Sequence, residues 1–94
     1  MAKRNWIVSV CNTEADGVWI TRVKGTKRQV KKYMLKLAAE DEAECEDEYE
    51  YGPETVDDVE ESNDGKELNA YATYSTYHID YTACLESSLK PLVL

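Results

Sequence analysis

The feature that most constrains the fold is a pair of β-branched segments near the start of the chain. Residues 5–12 and 18–24 are both rich in Val, Ile and Trp, which favour extended strands. Between them stand Asp16 and Gly17, an Asp-Gly pair typical of a tight hairpin turn. A chain of 94 residues can bury only a modest core, enough for a small sheet under one helix.

The end of the chain repeats the strand pattern. Residues 68–74 alternate apolar and polar side chains, and residues 79–85 alternate again. The alternation changes phase at Ser75 and Thr76, which marks a tight turn or a bulge. A further turn is predicted at residues 63–65, where the sequence is Asn-Asp-Gly. We therefore expect a second pair of strands near the end of the chain.

One segment between these pairs has helical periodicity. Thr26 and Gln29 have the spacing of a capping box, in which each side chain bonds the other residue's amide. The apolar stripe that follows consists of Val30, Tyr33, Met34 and Leu37, with Leu35 and Ala38 at its edge. The sequence predicts a helix that reaches at least Ala39 and leaves Lys31, Lys32 and Lys36 in solvent.

Residues 40–67 are strongly acidic and allow two interpretations, with fifteen Asp and Glu against one Lys. Pro53 suits the first turn of a short second helix over residues 53–61. Tyr49 and Tyr51 alternate with glutamates, which equally suits a short edge strand. Because like charges crowd here, we expect raised carboxyl pKa values and a fold that becomes more stable as the pH falls toward about 5. The competing possibility is that Lys31, Lys32 and Lys36 neutralise these acids, which would lower the carboxyl pKa values and reverse the trend.

The order of elements predicts a small α+β domain over residues 1–94, with a short C-terminal tail at residues 87–94. Its layout is ββα(α)ββ, with a four-stranded, mostly antiparallel or mixed sheet and one helix packed on one face. This order resembles the β-grasp, ubiquitin-like folds, and an antiparallel ββαββ sandwich is the alternative.

Strand alternation assigns the residues of the sheet to two faces. The face expected to meet the helix carries Val8, Val10, Val18, Ile20, Ala70, Ala72, Ile79 and Ala83. The opposite face carries Ile7, Ser9, Cys11, Trp19, Thr21, Val23, Tyr71, Thr73, His78, Asp80, Thr82 and Cys84. A single helix leaves this second face partly exposed, unless the acidic segment covers it as a lid. Exposed aromatic patches often mark partner surfaces. The candidate binding residues are Trp19, Tyr71, His78, Asp80 and Thr82.

Composition and charge limit the classes of function. The hydrophobic fraction of 43% favours a folded chain, and no apolar run is long enough to span a bilayer. The net charge is -8, yet residues 1–37 hold nine Lys and Arg against two acids, and residues 38–94 hold two Lys against seventeen acids. We expect a strongly dipolar cytoplasmic protein whose partner is another protein, since the overall charge disfavours membranes and direct nucleic-acid binding.

Two stretches resemble small uncharacterised proteins of Gram-positive bacteria and their mobile elements. They are Tyr-Ser-Thr-Tyr-His-Ile-Asp-Tyr-Thr-Ala at residues 74–83 and Trp-Ile-Val-Ser-Val-Cys at residues 6–11. The resemblance implies a bacterial or phage origin. It brings no function or site with it.

The sequence contains Cys, His and Asp residues of the types used in catalysis, but they do not form a known catalytic sequence motif. Cys11 or Cys84 with His78 and Asp80 would supply a nucleophile, a base and an orienting carboxylate. The three cysteines are widely spaced, which favours reduced thiols over a disulfide framework or a zinc site. An EF-hand alignment on Gly65 fails, because a tyrosine stands where a glutamate is required. We therefore expect no cofactor, and folding without a metal.

Three functions remain as hypotheses. The first is a non-enzymatic protein-binding or accessory module that acts through the exposed sheet face or through the acidic lobe, which is the folded form of the acidic segment 40–67. The second is an acidic mimic of nucleic acid that inhibits a DNA- or RNA-handling protein. The third is a small Cys/His enzyme. High salt separates the first two, because binding by a mimic weakens steeply with ionic strength.

Overall fold

The fold is described by a computed structural model covering residues 2–15, 17–46 and 48–94. Asp16 of the predicted hairpin turn lies outside the described residues. The strands are β1 (Arg4–Asn12), β2 (Val18–Gly25), β3 (Tyr49–Tyr51), β4 (Glu60–Ser62), β5 (Glu67–Tyr74) and β6 (His78–Leu85). The helix is α1 (Lys27–Glu44), and single 3-10 turns occupy Val56–Asp58 and Glu86–Ser88.

All pairings in the described sheet are antiparallel. The strand order is β2-β1-β6-β5, and the two short strands β3 and β4 both pair with the outer edge of β5. This confirms the α+β class and a mostly antiparallel sheet with a helix on one face. The mixed sheet and the β-grasp order are not found. A β-grasp sheet pairs its first and last strands in parallel, whereas β1 and β6 run antiparallel.

The predicted count of four strands is wrong, and the second helix, one of the two interpretations of the acidic segment, is not found in the described residues. The acidic segment contributes two three-residue strands, with only the 3-10 turn Val56–Asp58 between them. Thr55 caps this turn by accepting a hydrogen bond from the Asp57 N–H at 3.2 Å. Pairing with β5 on both sides of the turn leaves no room for a longer helix. The edge-strand interpretation of Tyr49 and Tyr51 is therefore the correct one.

Helix α1 begins where the capping box predicts. Thr26 Oγ1 accepts a hydrogen bond from the Gln29 N–H at 3.2 Å, and Gln29 Oε1 accepts one from the Thr26 N–H at 2.9 Å. The residues that α1 buries are Val30, Met34 and Ala38. Leu37 is only partly buried, because the buried stripe is centred on Met34 rather than on the Tyr33 side.

The core lies between α1 and one face of the sheet. Ala70, Ala72 and Ala83 are buried there, as expected of small residues that let a helix approach closely. Tyr81 is fully buried beside them. Its hydroxyl donates a hydrogen bond to Asp41 Oδ2 at 2.6 Å, so the centre of the sheet is bonded directly to the helix.

The assignment of the two faces of β2 is wrong. Thr21 lies directly opposite Val8, so the two side chains share the helix-facing side. The helix-facing side of β2 therefore carries Trp19, Thr21 and Val23. Val18 and Ile20 lie on the opposite face. Val18, Trp19 and Ile20 are consecutive large apolar residues, so the strand fits either face and its register with β1 decides.

The acidic segment does not form a lid over the exposed sheet face. Val59 is buried in the core, and the ring of Tyr49 packs against Tyr74 at a centroid distance of 5.4 Å. Both residues therefore join the helix side of the sheet. Tyr51 instead reaches the other side, where its ring meets Tyr71, and Glu60 lies on that side opposite Asn69.

Met34→Ala should lower the free energy of unfolding by about 2–5 kcal/mol, because Met34 has no exposed surface and its truncation leaves a cavity. Leu37→Ala should cost less, since Leu37 is only partly buried. Lys32→Ala, on the exposed side of α1, should stay near wild type. Urea denaturation of the three variants tests this order. A Met34→Ala variant of native stability would contradict the described core.

Candidate functional site

No helix covers the sheet face opposite α1 in the described residues, and we call it the open face. Its members on the four long strands are Asn5, Ile7, Ser9, Cys11, Val18, Ile20, Arg22, Lys24, Glu67, Asn69, Tyr71, Thr73, His78, Asp80, Thr82 and Cys84. Large apolar side chains stand exposed on it, including Ile20 at 68% and Tyr71 at 51%. Among the described elements, the turn Glu86–Ser88 approaches this face, through an ion pair between Glu86 and Arg22 at 2.8 Å.

The strand registers bring four of the five candidate residues onto the open face. Asp80 on β6 lies opposite Tyr71 on β5, and Thr82 follows Asp80 by two residues on β6. His78 Nε2 lies 3.3 Å from Asp80 Oδ2. Trp19 does not join them, because it lies on the helix-facing side of β2. Four of the five candidate binding residues therefore share the open face, and Trp19 lies apart from them.

The open face is positively charged at its β2 edge and negatively charged at the opposite edge. Arg22 and Lys24 stand on β2, whereas Glu60 and Glu67 stand on β4 and β5 at the far side. The Tyr51 and Tyr71 rings meet edge to face near the acidic side, with centroids 5.6 Å apart. The open face therefore has a basic edge on β2, a mixed centre on β1 and β6, and an aromatic, acidic edge on β5 and β4.

The Cys/His residues do not form a nucleophile–base pair. Cys11 lies opposite Asp80, whereas Cys84 lies opposite Ile7. In the part of the chain that the structure describes, neither cysteine makes a side-chain hydrogen bond to His78. Burial raises the pKa of the Cys84 thiol, which disfavours the thiolate that a nucleophile requires.

A cleft of about 310 Å³ lies between α1 and the β1–β2 hairpin. Its apolar wall comes from Val8, Val10, Leu37 and Ile79, and its rim includes Asn12, Trp19, Thr21, Tyr33 and Asp41. Trp19, Thr21 and Tyr33 are not buried, so the sheet is only partly covered here. Sequence reasoning missed the cleft because it placed Trp19 on the wrong side of β2.

An aromatic cluster closes the sheet near the C-terminal end of α1. The Tyr74 and Tyr77 rings stack with centroids 4.7 Å apart, and the Tyr77 hydroxyl lies 2.8 Å from Cys45 Sγ. Burial raises the pKa of Tyr74 to about 12, with smaller effects from Cys45 and Asp41. These contacts bind the end of the helix to the β5–β6 turn, so we interpret the cluster as structural.

Glu61 holds the acidic segment against the basic half of α1. Its carboxylate oxygens lie 2.8 Å from Lys27 Nζ and 2.7 Å from Lys31 Nζ. The expectation that Lys31 stays in solvent is therefore wrong, since its side chain is only 14% exposed. Gly65 lies beside this contact with a φ of +77°, a backbone conformation that favours glycine.

Two carboxyl groups of the acidic segment have lowered pKa values, against the expectation of raised ones. Hydrogen bonds from Lys27 and Lys31 lower the pKa of Glu61 to about 2. Hydrogen bonds from the Glu54 and Thr55 amides lower the pKa of Asp58. Specific bonds to the ionised form therefore outweigh the crowding of like charges at these two positions.

Two further observations concern the described ranges 2–15, 17–46 and 48–94. No group of three or more His, Cys, Asp and Glu side chains is placed to hold a metal ion there. No helix in these ranges has the length and apolar character needed to cross a membrane.

Acidification should destabilise the protein as the pH falls from about 4.5 toward 2. A carboxyl group with a lowered folded pKa contributes stability above its unfolded pKa and loses it as the pH falls through the folded value. Glu61→Gln should flatten this part of the melting-temperature profile. Glu60→Gln is the matched control, because Glu60 is adjacent but on the open face. Equal profiles for the two variants would contradict the role of Glu61.

Comparison of the chain with models of known protein families, with curated proteins and with solved structures finds no match.

Proposed function

We propose that the protein is a non-enzymatic protein-binding module and that the open face is its contact surface. The observation that carries this proposal is a regular antiparallel sheet that has a helix on one face and exposed Val18, Ile20 and Tyr71 on the other. Exposed apolar and aromatic side chains in a polar surround are typical of protein interfaces.

The dimensions of the open face support this proposal. Four long strands and the short strands beyond β5 span about 24 Å at about 4.8 Å per strand, and eight residues extend about 26 Å. The resulting area is of the same order as the roughly 800 Å² that each partner contributes to a standard interface. The charge gradient gives the proposed partner a preferred orientation: its acidic groups would meet Arg22 and Lys24, and its basic groups would meet Glu60 and Glu67.

The acidic lobe is a weaker candidate because several of its carboxylates already have partners within the chain. Glu61 binds two lysines, Asp41 accepts the Tyr81 hydrogen bond, and Asp58 accepts two backbone hydrogen bonds. An acidic mimic of nucleic acid needs carboxylates available to its target. The acidic mimic remains the alternative function, and the binding experiment below distinguishes it from binding through the open face.

We place this module in the cytoplasm, with another protein as its partner and a bacterial or phage source. No disulfide joins Cys11, Cys45 and Cys84, which suits a reducing compartment.

Binding should be lost on substitution of the open face. Wild type, Tyr71→Arg, Thr82→Arg and the control Lys32→Ala are immobilised, and bound proteins are quantified from a bacterial lysate at low and high salt. We expect a partner that binds wild type and Lys32→Ala, is lost from both arginine variants, and persists at high salt because apolar contacts are not screened.

The opposite pattern would identify the acidic mimic. In that case Tyr71→Arg and Thr82→Arg keep the partner, whereas Glu48→Gln with Glu50→Gln, or high salt, releases it. Circular dichroism of each variant first establishes that the fold is retained. Retained binding by both arginine variants contradicts the proposed function.

A further inference from the structure

Within the described residues, no strand pairs with the outer edge of β2. Of the features that protect an edge strand, β2 has two cations, Arg22 and Lys24, but it is eight residues long and its pairing with β1 contains no bulge. Its register with β1 runs without interruption from the pair Arg4 and Gly25 to the pair Cys11 and Val18. The strand contains no proline, and its large apolar residues are exposed, with Trp19 at 55%. A long, regular, apolar edge of this kind is a template for a further strand.

The opposite edge of the sheet is protected. Two three-residue strands cover parts of β5, and Pro53 and a 3-10 turn separate them. The register also shifts between Tyr49 and Tyr51. Short strands, a proline and register irregularities all discourage further pairing. Strand addition is therefore favoured at β2 alone, and this would close an assembly at two copies rather than extend it into a filament.

The hydrogen-bond alternation identifies which groups of β2 are available. The Thr13 N–H donates to the His78 carbonyl at 3.1 Å, so odd-numbered residues of β1 bond to β6. Even-numbered residues of β1 then bond to β2, and their opposite partners there are odd-numbered. The backbone N–H and C=O groups directed outward from β2 are therefore those of Val18, Ile20, Arg22 and Lys24.

We propose that two copies of this chain pair antiparallel through β2, centred on Thr21. In this register Ile20 lies opposite Arg22 of the second copy, and Val18 lies opposite Lys24 of the second copy. These are the residues with outward hydrogen-bonding groups on both strands. On the helix-facing side, Trp19 packs against Val23 of the second copy, an aromatic and β-branched pair of the kind that stabilises sheets.

Charge disfavours the neighbouring register centred on Arg22, and strand overlap disfavours the one centred on Ile20, which would pair only residues 18–22. Centring the pair on Arg22 would place Arg22 opposite its own copy, and like charges directly opposite destabilise a sheet. Centring on Thr21 places each cation opposite an apolar residue, which its aliphatic stem can cover. Arg22 is also paired with Glu86 in its own chain, which reduces repulsion across the interface. The Thr21 register additionally overlaps seven residues of each strand.

The dimer leaves the open face uncovered. Rotation about an axis through Thr21 and perpendicular to the sheet keeps both helices on one side and both open faces on the other. The result is one continuous sheet with a contact surface of double width. The dimer therefore goes beyond the proposed function and is tested independently of it.

The mass in solution is the first test. Wild type should sediment at twice the monomer mass at high protein concentration, and Ile20→Lys should be monomeric because it places a lysine opposite Arg22. Leu89→Lys is the matched control, since Leu89 is 52% exposed but lies outside the sheet, and it should remain dimeric. A monomeric wild type at concentrations up to about 1 mM, where even weak pairs associate, overturns the proposal. So does an Ile20→Lys dimer.

A cysteine placed at the two-fold axis tests the register. Cys11, Cys45 and Cys84 are replaced by Ser, and Thr21→Cys is compared with Ile20→Cys under mild oxidation. Facing residues at position 21 have Cα atoms about 4.5 Å apart, within disulfide range. Residues at position 20 are diagonal neighbours roughly 7–8 Å apart. Only Thr21→Cys should form a covalent dimer, and a reversed or equal preference overturns the register.

The two experiments distinguish this inference from the proposed function. Tyr71→Arg and Thr82→Arg lie on the open face away from β2, so they should lose the partner but keep the dimer mass. Ile20→Lys should lose the dimer mass. A protein that binds a partner as a monomer would refute the dimer alone, and a dimer that binds no partner through the open face would refute the proposed function alone.

Discussion

The antiparallel pairing of β1 with β6 is the constraint on which the structure depends. It joins two hairpin-like strand pairs, β1–β2 and β5–β6, that are far apart in sequence and that each bury little surface alone. Only the joined sheet is wide enough to support α1, with Val8 and Ala83 side by side beneath the helix. Tyr81 stands in this centre, and its bond to Asp41 connects the pairing to the second layer.

The charges of α1 oppose its dipole, and tertiary contacts offset this at both ends. Its first turn has no acid and its last turn has no base. Such an arrangement costs a few tenths of a kcal/mol for each exposed charge. Glu61 compensates at the basic end by binding Lys27 and Lys31, and Tyr81 donates to Asp41 toward the acidic end. Attraction between the basic first half of α1 and Glu61 of the acidic segment therefore helps to hold that segment against the helix.

Sequence patterns correctly predicted the secondary-structure elements that depend on interactions between residues close together in the chain. The capping box of α1 and the four long strands follow from the spacing of polar and apolar residues. The faces of β2 did not follow, because the adjacent Val18, Trp19 and Ile20 fit both sides and only the long-range register separates them. The same limit explains the carboxyl pKa values. Crowding is visible in the sequence, whereas the lysines that reach Glu61 come from thirty residues or more away.

For the candidate site, the sequence predicted an exposed sheet face and four of its residues, but it missed the cleft and the unpaired edge. Tyr71, His78, Asp80 and Thr82 could be grouped because β5 and β6 alternate regularly around a short turn. Trp19 could not be assigned to a face from the sequence, because only the long-range register of β2 with β1 decides which face each of its residues occupies. The exposure of the β2 edge depends on strand order, which no local pattern specifies.

The two tryptophans make the protein its own optical probe, because their surroundings differ so strongly. Trp6 is 3% exposed within the core, whereas Trp19 is 55% exposed at the rim of the cleft. Emission from Trp6 should shift to the red only when the core opens, and an aqueous quencher should reach Trp19 first. One spectrum therefore reports separately on the integrity of the interior and on events at the edge of the sheet.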